Sequence, residues 1–217
     1  MRFFIASLFF FISVSAYSES TAWALEQEEA SINLKVFTRE IEGSNLNEFK
    51  GEMLVKAQLT TIAALLLDVE AAPKWMHKCK KFEILKQVDE LSTVIHFING
   101  APWPVNDRDA VILSVMSQDP ETLALKVEIS TVNDLLPEND DYVRISYMTG
   151  LWLFEPAENG QVLITYQVHA DSGGSLPDWL ANTAVVDMPY YTMSNMAKML
   201  MLKKYQQVAV KNIKNVQ

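Results

Sequence analysis

The sequence predicts an α+β domain in which an antiparallel sheet is covered by one long C-terminal helix, and three observations predict it. Six strand-like stretches, 82–89, 92–99, 107–117, 122–133, 142–154 and 161–170, follow one another at hairpin spacing. Asp109 to Met116 (DAVILSVM) is apolar at nearly every position, so both faces of that strand should be buried. From Pro177 to about Gln207 the apolar residues recur at helical spacing.

The elements follow in order. Met1 and Arg2 form a short positive start, and Phe3 to Ala16 (FFIASLFFFISVSA) is apolar or small, ending in Val14-Ser15-Ala16. This is the pattern of a secretory signal peptide over residues 1–16, with the mature chain starting at Tyr17. The apolar run falls short of the ~20 residues of a membrane-spanning helix. The mature chain is expected to be exported, most simply to a bacterial periplasm, as a single domain over 17–217. Ser20 to Ser31 (STAWALEQEEAS) reads as a helical opening capped by Ser20 or Thr21. Ile32 to Arg39 alternates apolar and polar residues, and Phe49 to Gln58 gives a second strand after a turn at Gly43 to Asn47. Thr60 caps an apolar helix running through Ile62 to Leu67 towards Pro73. The six strands come next, punctuated by Pro102/Pro104, Asp119-Pro120, Pro137 to Asp141 and Glu158-Asn159-Gly160. Pro177 suits the first turn of the last helix, and Pro189 should kink it. Trp179, Thr183, Val186, Tyr190, Met193, Ala197 and Leu200 form its apolar stripe. Five of the ten methionines lie there, which fits a core helix or a wall for a flexible apolar ligand.

Composition narrows the function. The 217 residues are 49% hydrophobic and 21% charged, as in ordinary globular domains. The net charge is −9, and removing Arg2 leaves 17 basic against 27 acidic residues, so nucleic acid is an unsuitable partner. After Asp187 only basic charges follow: Lys198, Lys203, Lys204, Lys211 and Lys214. They read as a solvated helix end or as a foot for an anionic membrane surface. The single Cys79 excludes an internal disulfide and a multi-cysteine metal site. Its lysine neighbours would lower its pKa, yet no nucleophile signature surrounds it. No GxSxG, HExxH, CxxC or phosphate-binding glycine loop is present, and no cofactor or metal is expected. His77, His96 and His169 are far apart in sequence; the last two lie in strands that could adjoin, where a structural or cavity-polar role is the commoner use.

Four stretches taken together resemble the StAR-related lipid-transfer (START) domain: Asp68 to Trp75 (DVEAAPKW), Pro102 to Asp109 (PWPVNDRD), Gly150-Leu151-Trp152, and Gly173 to Asn182 (GGSLPDWLAN). The resemblance covers residues 20–210 and implies a helix-grip fold, a curved antiparallel sheet around an apolar tunnel closed by the C-terminal helix. It implies a monomeric carrier of one phospholipid, fatty acyl or sterol-like ligand, with transient membrane contact. Arg108 and Asp109 match the family's RD pair and imply an ion pair buttressing the sheet mouth. Trp103 is expected to pack the strand connection. The slots where sterol carriers hold an acid and an arginine fall on Phe97 and Ser114, so the lining is expected to be uncharged. Ala110, Ile112 and Ser114 are expected to line the tunnel, together with Thr183, Val186, Tyr190, Met193 and Ala197. His96, Tyr147, Tyr166, Gln167 and His169 are the polar handles. Leu135 and Leu136, with Pro189, form the expected gate. An enzyme of the same fold, cyclase- or hydrolase-like, is the alternative; it would need an acid–base pair in the cavity, with His169 as base. A ligand-sensing or partner-binding module is a third class.

Overall fold

The computed structural model describes residues 22–171, 173–174 and 178–216. The signal-like segment, Tyr17, the caps Ser20 and Thr21, Pro177 and the side chain of Trp179 lie outside them.

Ten strands form one sheet: β1 Ala24–Glu29, β2 Leu34–Arg39, β3 Glu48–Lys56, β4 Cys79–Gln87, β5 Ser92–Asn99, β6 Arg108–Gln118, β7 Leu125–Thr131, β8 Val143–Arg144, β9 Tyr147–Pro156 and β10 Gln161–Asp171. The order is β1-β2-β3-β10-β9-β7-β6-β5-β4, all antiparallel, and the two-residue β8 pairs in parallel with the start of β6. Helix α1 (Leu59–Leu67) and the single turn α2 (Ala72–Trp75) follow β3, and α3 (Asp178–Leu200) closes the chain's regular structure. The sheet is curved but not closed, so among the described residues β1 and β4 are its edge strands. Bulges interrupt both, between Leu25 and Gln27, between Cys79 and Lys81, and between Ile84 and Lys86.

Three elements differ from expectation. The opening segment is a strand, not a helix: Ala24 to Glu29 pairs with Leu34 to Thr38, and a short 3-10 turn, Ala30–Ile32, joins them. Pairing with β2 satisfies backbone groups that a short isolated helix could satisfy only at the cost of nucleation. Trp23 then packs under Arg39 and Lys50, with their charged groups 4.5 and 5.0 Å from its ring centre. The expected strand 142–154 is split into β8 and β9, since Val143 and Arg144 leave β9 to pair with Arg108 and Asp109. Helix α3 stops at Leu200 rather than near Gln207, because the following turn is tied elsewhere. Lys204 Nζ and the Tyr205 hydroxyl both donate to Asp68 Oδ2, at 2.7 and 2.8 Å. The tail continues across the molecule. Asn215, rather than Thr60, supplies the cap of α1: its Oδ1 accepts from the Thr60 N–H at 3.0 Å.

Helix α3 lies on the concave side of the sheet against β2 and β3. Leu34, Val36, Met53, Ile164, Met193 and Met196 are fully buried between them. Gly51 permits the close approach, as a Cβ there would sit 2.3 Å from Met193 Sδ. A second, smaller cluster joins Ile95, Phe97, Ala110, Ile112 and Ile145 at the other half of the sheet. Between the two clusters the concave face is left open.

Trp103 does not pack the β5–β6 connection; it is 93% exposed. Trp103→Ser is therefore expected to change unfolding free energy by no more than about 0.5 kcal/mol, as for an ordinary surface substitution. Urea unfolding of both proteins measures this.

Candidate functional site

Strand alternation decides which residues reach the open concave face. Phe97 pairs with Ala110, Ile95 with Ile112 and Thr93 with Ser114, and paired residues share a face. The same face continues through Val127, Ile129, Trp152, Tyr166 and Val168. These side chains, roofed by α3 and the α1–α2 segment, enclose a cavity of about 930 Å³, at the upper end of the usual range for small-molecule sites. Leu180, Ala184, Val185 and Met188 of α3 close it from above, and Ala72, Trp75, Met76 and His77 close one side. Val210 and Lys211 of the tail reach its rim. Four methionines from four places, Met76, Met116, Met148 and Met188, line it and give it an adaptable wall.

The back wall is aromatic. Trp152 stacks on Tyr166 at 3.7 Å between ring centres and on Phe154 at 5.9 Å, and meets Trp75 edge-on at 6.1 Å. Burial pushes the Tyr166 hydroxyl far above its ordinary pKa, so it stays a neutral phenol.

Of the residues expected in the tunnel, Ile112, Ser114 and Tyr166 are in the cavity wall. Ala110 shares their face but is covered by its cluster. On α3 the register is rotated from expectation. Thr183 is exposed, Met193 is buried against Gly51, and Val186, Tyr190 and Ala197 pack on the core cluster outside the cavity wall. The helix carries apolar residues nearly all round, so periodicity alone did not fix which stripe faces the cavity.

The remaining polar handles are placed on the outer face by one step of alternation. His96 pairs with Val111, opposite in sense to Phe97 and Ala110. Gln167 donates to Glu48 Oε1 at 2.6 Å, and His169 Nε2 lies 3.0 Å from Ser44 Oγ. Tyr147 meets the His169 ring edge-on at 5.6 Å and is itself half-exposed. The base required by an enzymatic reading, His169, is thus outside the cavity.

The expected Arg108–Asp109 ion pair is replaced by another. Successive residues of a strand point to opposite faces, so Arg108 and Asp109 cannot meet. Asp109 instead receives Arg144, with Nε to Oδ1 at 2.9 Å and Nη2 to Oδ2 at 2.8 Å, while His96 Nε2 lies 3.0 Å from Oδ2. The side chains of Asp109, Arg144 and His96 are 3, 6 and 8% exposed. Burial pushes the Asp109 carboxyl up, but hydrogen bonds from Arg144 and His96 outweigh it and hold the pKa below the ordinary value. Arg144 Nη1 also donates to the Leu136 carbonyl at 3.0 Å, tethering the Leu135–Leu136 loop, whose Leu135 side chain is half-exposed. Pro189 is buried within α3.

Arg108 turns the other way, into the cavity wall, so the lining is not uncharged. Its alternation with Ala110, Ile112 and Ser114 is legible in the sequence and sets it on their face; the expected pairing with Asp109 is what does not form. Cys79 is buried, with Sγ donating to the Lys81 carbonyl at 3.3 Å, and burial pushes its pKa up to about 11 rather than down. Among the described residues no cluster of His, Cys, Asp or Glu could hold a metal ion. No helix among them is long and apolar enough to cross a membrane.

Comparison with known proteins completes the picture. An uncharacterized protein of Pseudomonas aeruginosa is 31% identical over 192 residues, covering 88% of this chain and 92% of its own length. The human ceramide transfer protein is 26% identical over 176 residues; these cover 71% of this chain but only 28% of that protein. The crystal structure of a STAR-related lipid transfer protein from Xanthomonas axonopodis superposes with a TM-score of 0.74 at 36% identity, covering 83% of this chain and 99% of the other. The family model for the START domain matches residues 13–208, and the chain belongs to that family.

Proposed function

We propose that the protein is a non-enzymatic carrier that holds one lipid in its internal cavity and passes it between membrane surfaces. The observation that carries this reading is the cavity itself, enclosed between a concave sheet and α3 and lined by methionine, aromatic and aliphatic side chains. Burying a lipid chain there contributes roughly 25 cal/mol for each Å² removed from water. The likeness to lipid transfer proteins in sequence and in fold supports the same reading. The sequence at residues 1–16 supports export of the mature chain to a periplasm, which N-terminal sequencing of the exported protein checks by reading Tyr17 first.

Native mass spectrometry of protein purified from its own host is the direct test. One lipid per chain is expected. Ser114→Trp, which projects an indole from β6 into the cavity, should remove that mass while leaving the circular dichroism spectrum unchanged. Unaltered lipid occupancy in the folded variant would overturn the assignment of the cavity as the binding site.

The lysine-rich segment after Asp187 supports membrane contact only in part. Lys204 is committed to Asp68 and Lys211 to Glu90, whereas Lys198 and Lys203 are exposed and outside those pairs. Lys203→Glu should therefore slow transfer of a fluorescent phospholipid from anionic vesicles by a few-fold at low salt, and leave transfer from neutral vesicles unchanged. Each such charge is worth about 1 kcal/mol at an anionic surface, less when salt screens it.

A further inference from the structure

The cavity is apolar along most of its wall, yet three nitrogens of its lining residues, two of them N–H donors, have no partner among the described residues. Arg108 Nε, Trp75 Nε1 and His77 Nε2 are buried atoms of cavity-lining residues and lack a hydrogen-bond partner among the described residues. Arg108 is the decisive one. The residue is only 7% exposed. Its single side-chain hydrogen bond among the described residues runs from Nη1 to the Asn106 carbonyl at 2.5 Å. The two acids beside it in sequence are both engaged elsewhere. Asp107 accepts from Lys80 Nζ at 2.7 Å and from the Ala101 N–H at 3.0 Å, and Asp109 belongs to Arg144 and His96. A buried guanidinium with no carboxylate hydrogen-bonded to it is costly; burial depresses its pKa, and the nearby Asp107 charge offsets this only in part.

Arginine and the indole N–H can only donate, so what completes them must accept. An oxyanion does this best, because a guanidinium offers two parallel hydrogen bonds to carboxylate or phosphate. Asp187 also lines the cavity, but its charge is felt at His77 rather than at Arg108. Asn99, opposite Arg108 on β5, shares this end, and among the described residues its side-chain amide is engaged only by Met188 Sδ at 3.8 Å.

We propose that the cavity selects lipids with an anionic head, a carboxylate or a phosphate, which Arg108 receives at the β5–β6 end while the acyl chain lies along the methionine and aromatic wall. The proposal rests on the carrier reading and adds the chemical class of the cargo.

The test uses the delipidated full-length protein and a fluorescent fatty acid, cis-parinaric acid, beside its methyl ester at neutral pH. The acid is expected to bind about tenfold more tightly or better, the scale of one charge-assisted hydrogen bond. Arg108→Gln should abolish the difference between the two probes, and Arg108→Lys should keep part of it. Competition by dodecanoate, dodecyl phosphate and dodecanol then separates the two head groups. Stronger displacement by either anion than by the alcohol supports the proposal and says which oxyanion is preferred. Equal binding of acid and ester by the wild-type protein overturns it without any variant, so a misfolded Arg108 variant does not rescue it. An Arg108→Gln protein that still prefers the acid overturns it as well. If neither probe binds, the carrier reading falls too; if the ester binds and the acid binds no better, only the role of Arg108 falls.

Discussion

Asp109→Ala should lower the unfolding free energy by about 3–5 kcal/mol, because it leaves Arg144 charged and buried without its partner. For a chain of this size that corresponds to a fall in Tm of roughly 10 °C or more. Thermal unfolding followed by circular dichroism measures it. The bidentate contact and the His96 contact converge on one carboxylate that is almost fully removed from water, so no solvent replaces what is lost. Replacing both charges together, Asp109→Leu with Arg144→Met, should recover a large part of the loss, since it removes the stranded cation as well. The pH dependence follows in sign. The Asp109 pKa is lower in the folded chain than in the unfolded one, so its stabilisation is complete above the ordinary carboxylate range and is lost as pH falls through and below it. Wild-type stability should therefore drop steeply below about pH 4, and the double variant should show a shallower acid limb.

Trp152→Ala should cost a comparable 3–5 kcal/mol, for a different reason. The side chain is 3% exposed and touches three other aromatic rings, Trp75, Phe154 and Tyr166. Removing it withdraws one whole wall of the cavity and leaves Tyr166 and Phe154 without their stacking partner. The loss enlarges an existing void instead of creating a sealed one, so bulkier cargo should gain relative to slimmer cargo. Trp152→Phe should retain more than half of the lost stability. Guanidinium unfolding of the three proteins gives the ranking, and a ranking in which Phe is no better than Ala would remove the stacked wall from the account.

Much of the architecture was legible in the sequence because strands and turns are written locally. Turn residues bracket β4 to β10, and the apolar run Asp109 to Met116 in β6 indicates burial on both faces, which holds through Ile112, while Leu113 to Val115 are half-buried. The opening strand was not legible, since Leu25 to Glu29 has no strong alternation and becomes a strand only by pairing with β2. The site was partly legible. Once Ser114 is set on the concave face, period-two alternation sends Arg108 there with it and Asp109 away; His96 faces out against Phe97, and Gln167 and His169 against Tyr166. The choice of inner face on α3 was beyond periodicity, because apolar residues cover most of its circumference and Asp187, in the narrow polar row Thr183, Asp187, Ser194 and Lys198, itself lines the cavity. The partner of Asp109 was beyond it too: Arg144 lies 35 residues away and arrives only because β8 leaves β9 to join β6.

The interrupted edges of the sheet bear on how these molecules behave in company. A free strand edge is a template on which another chain can extend the sheet, and concentrated proteins aggregate by that route. Here β1 presents Glu26, Glu28 and Glu29, while β4 presents Lys80, Lys81 and Lys86 against a single acid, Glu83. Two β1 edges, or two β4 edges, would therefore bring like charges together. An acidic edge meeting a basic one would attract, and there the bulges intervene. Unbroken pairing geometry runs only from Gln27 to Glu29 on one side and from Lys81 to Ile84 on the other. Neither run reaches the five or six residues typical of a strand, roughly. Charge blocks association of like edges and broken register blocks the unlike ones, so an open sheet can stay dispersed without being sealed into a barrel.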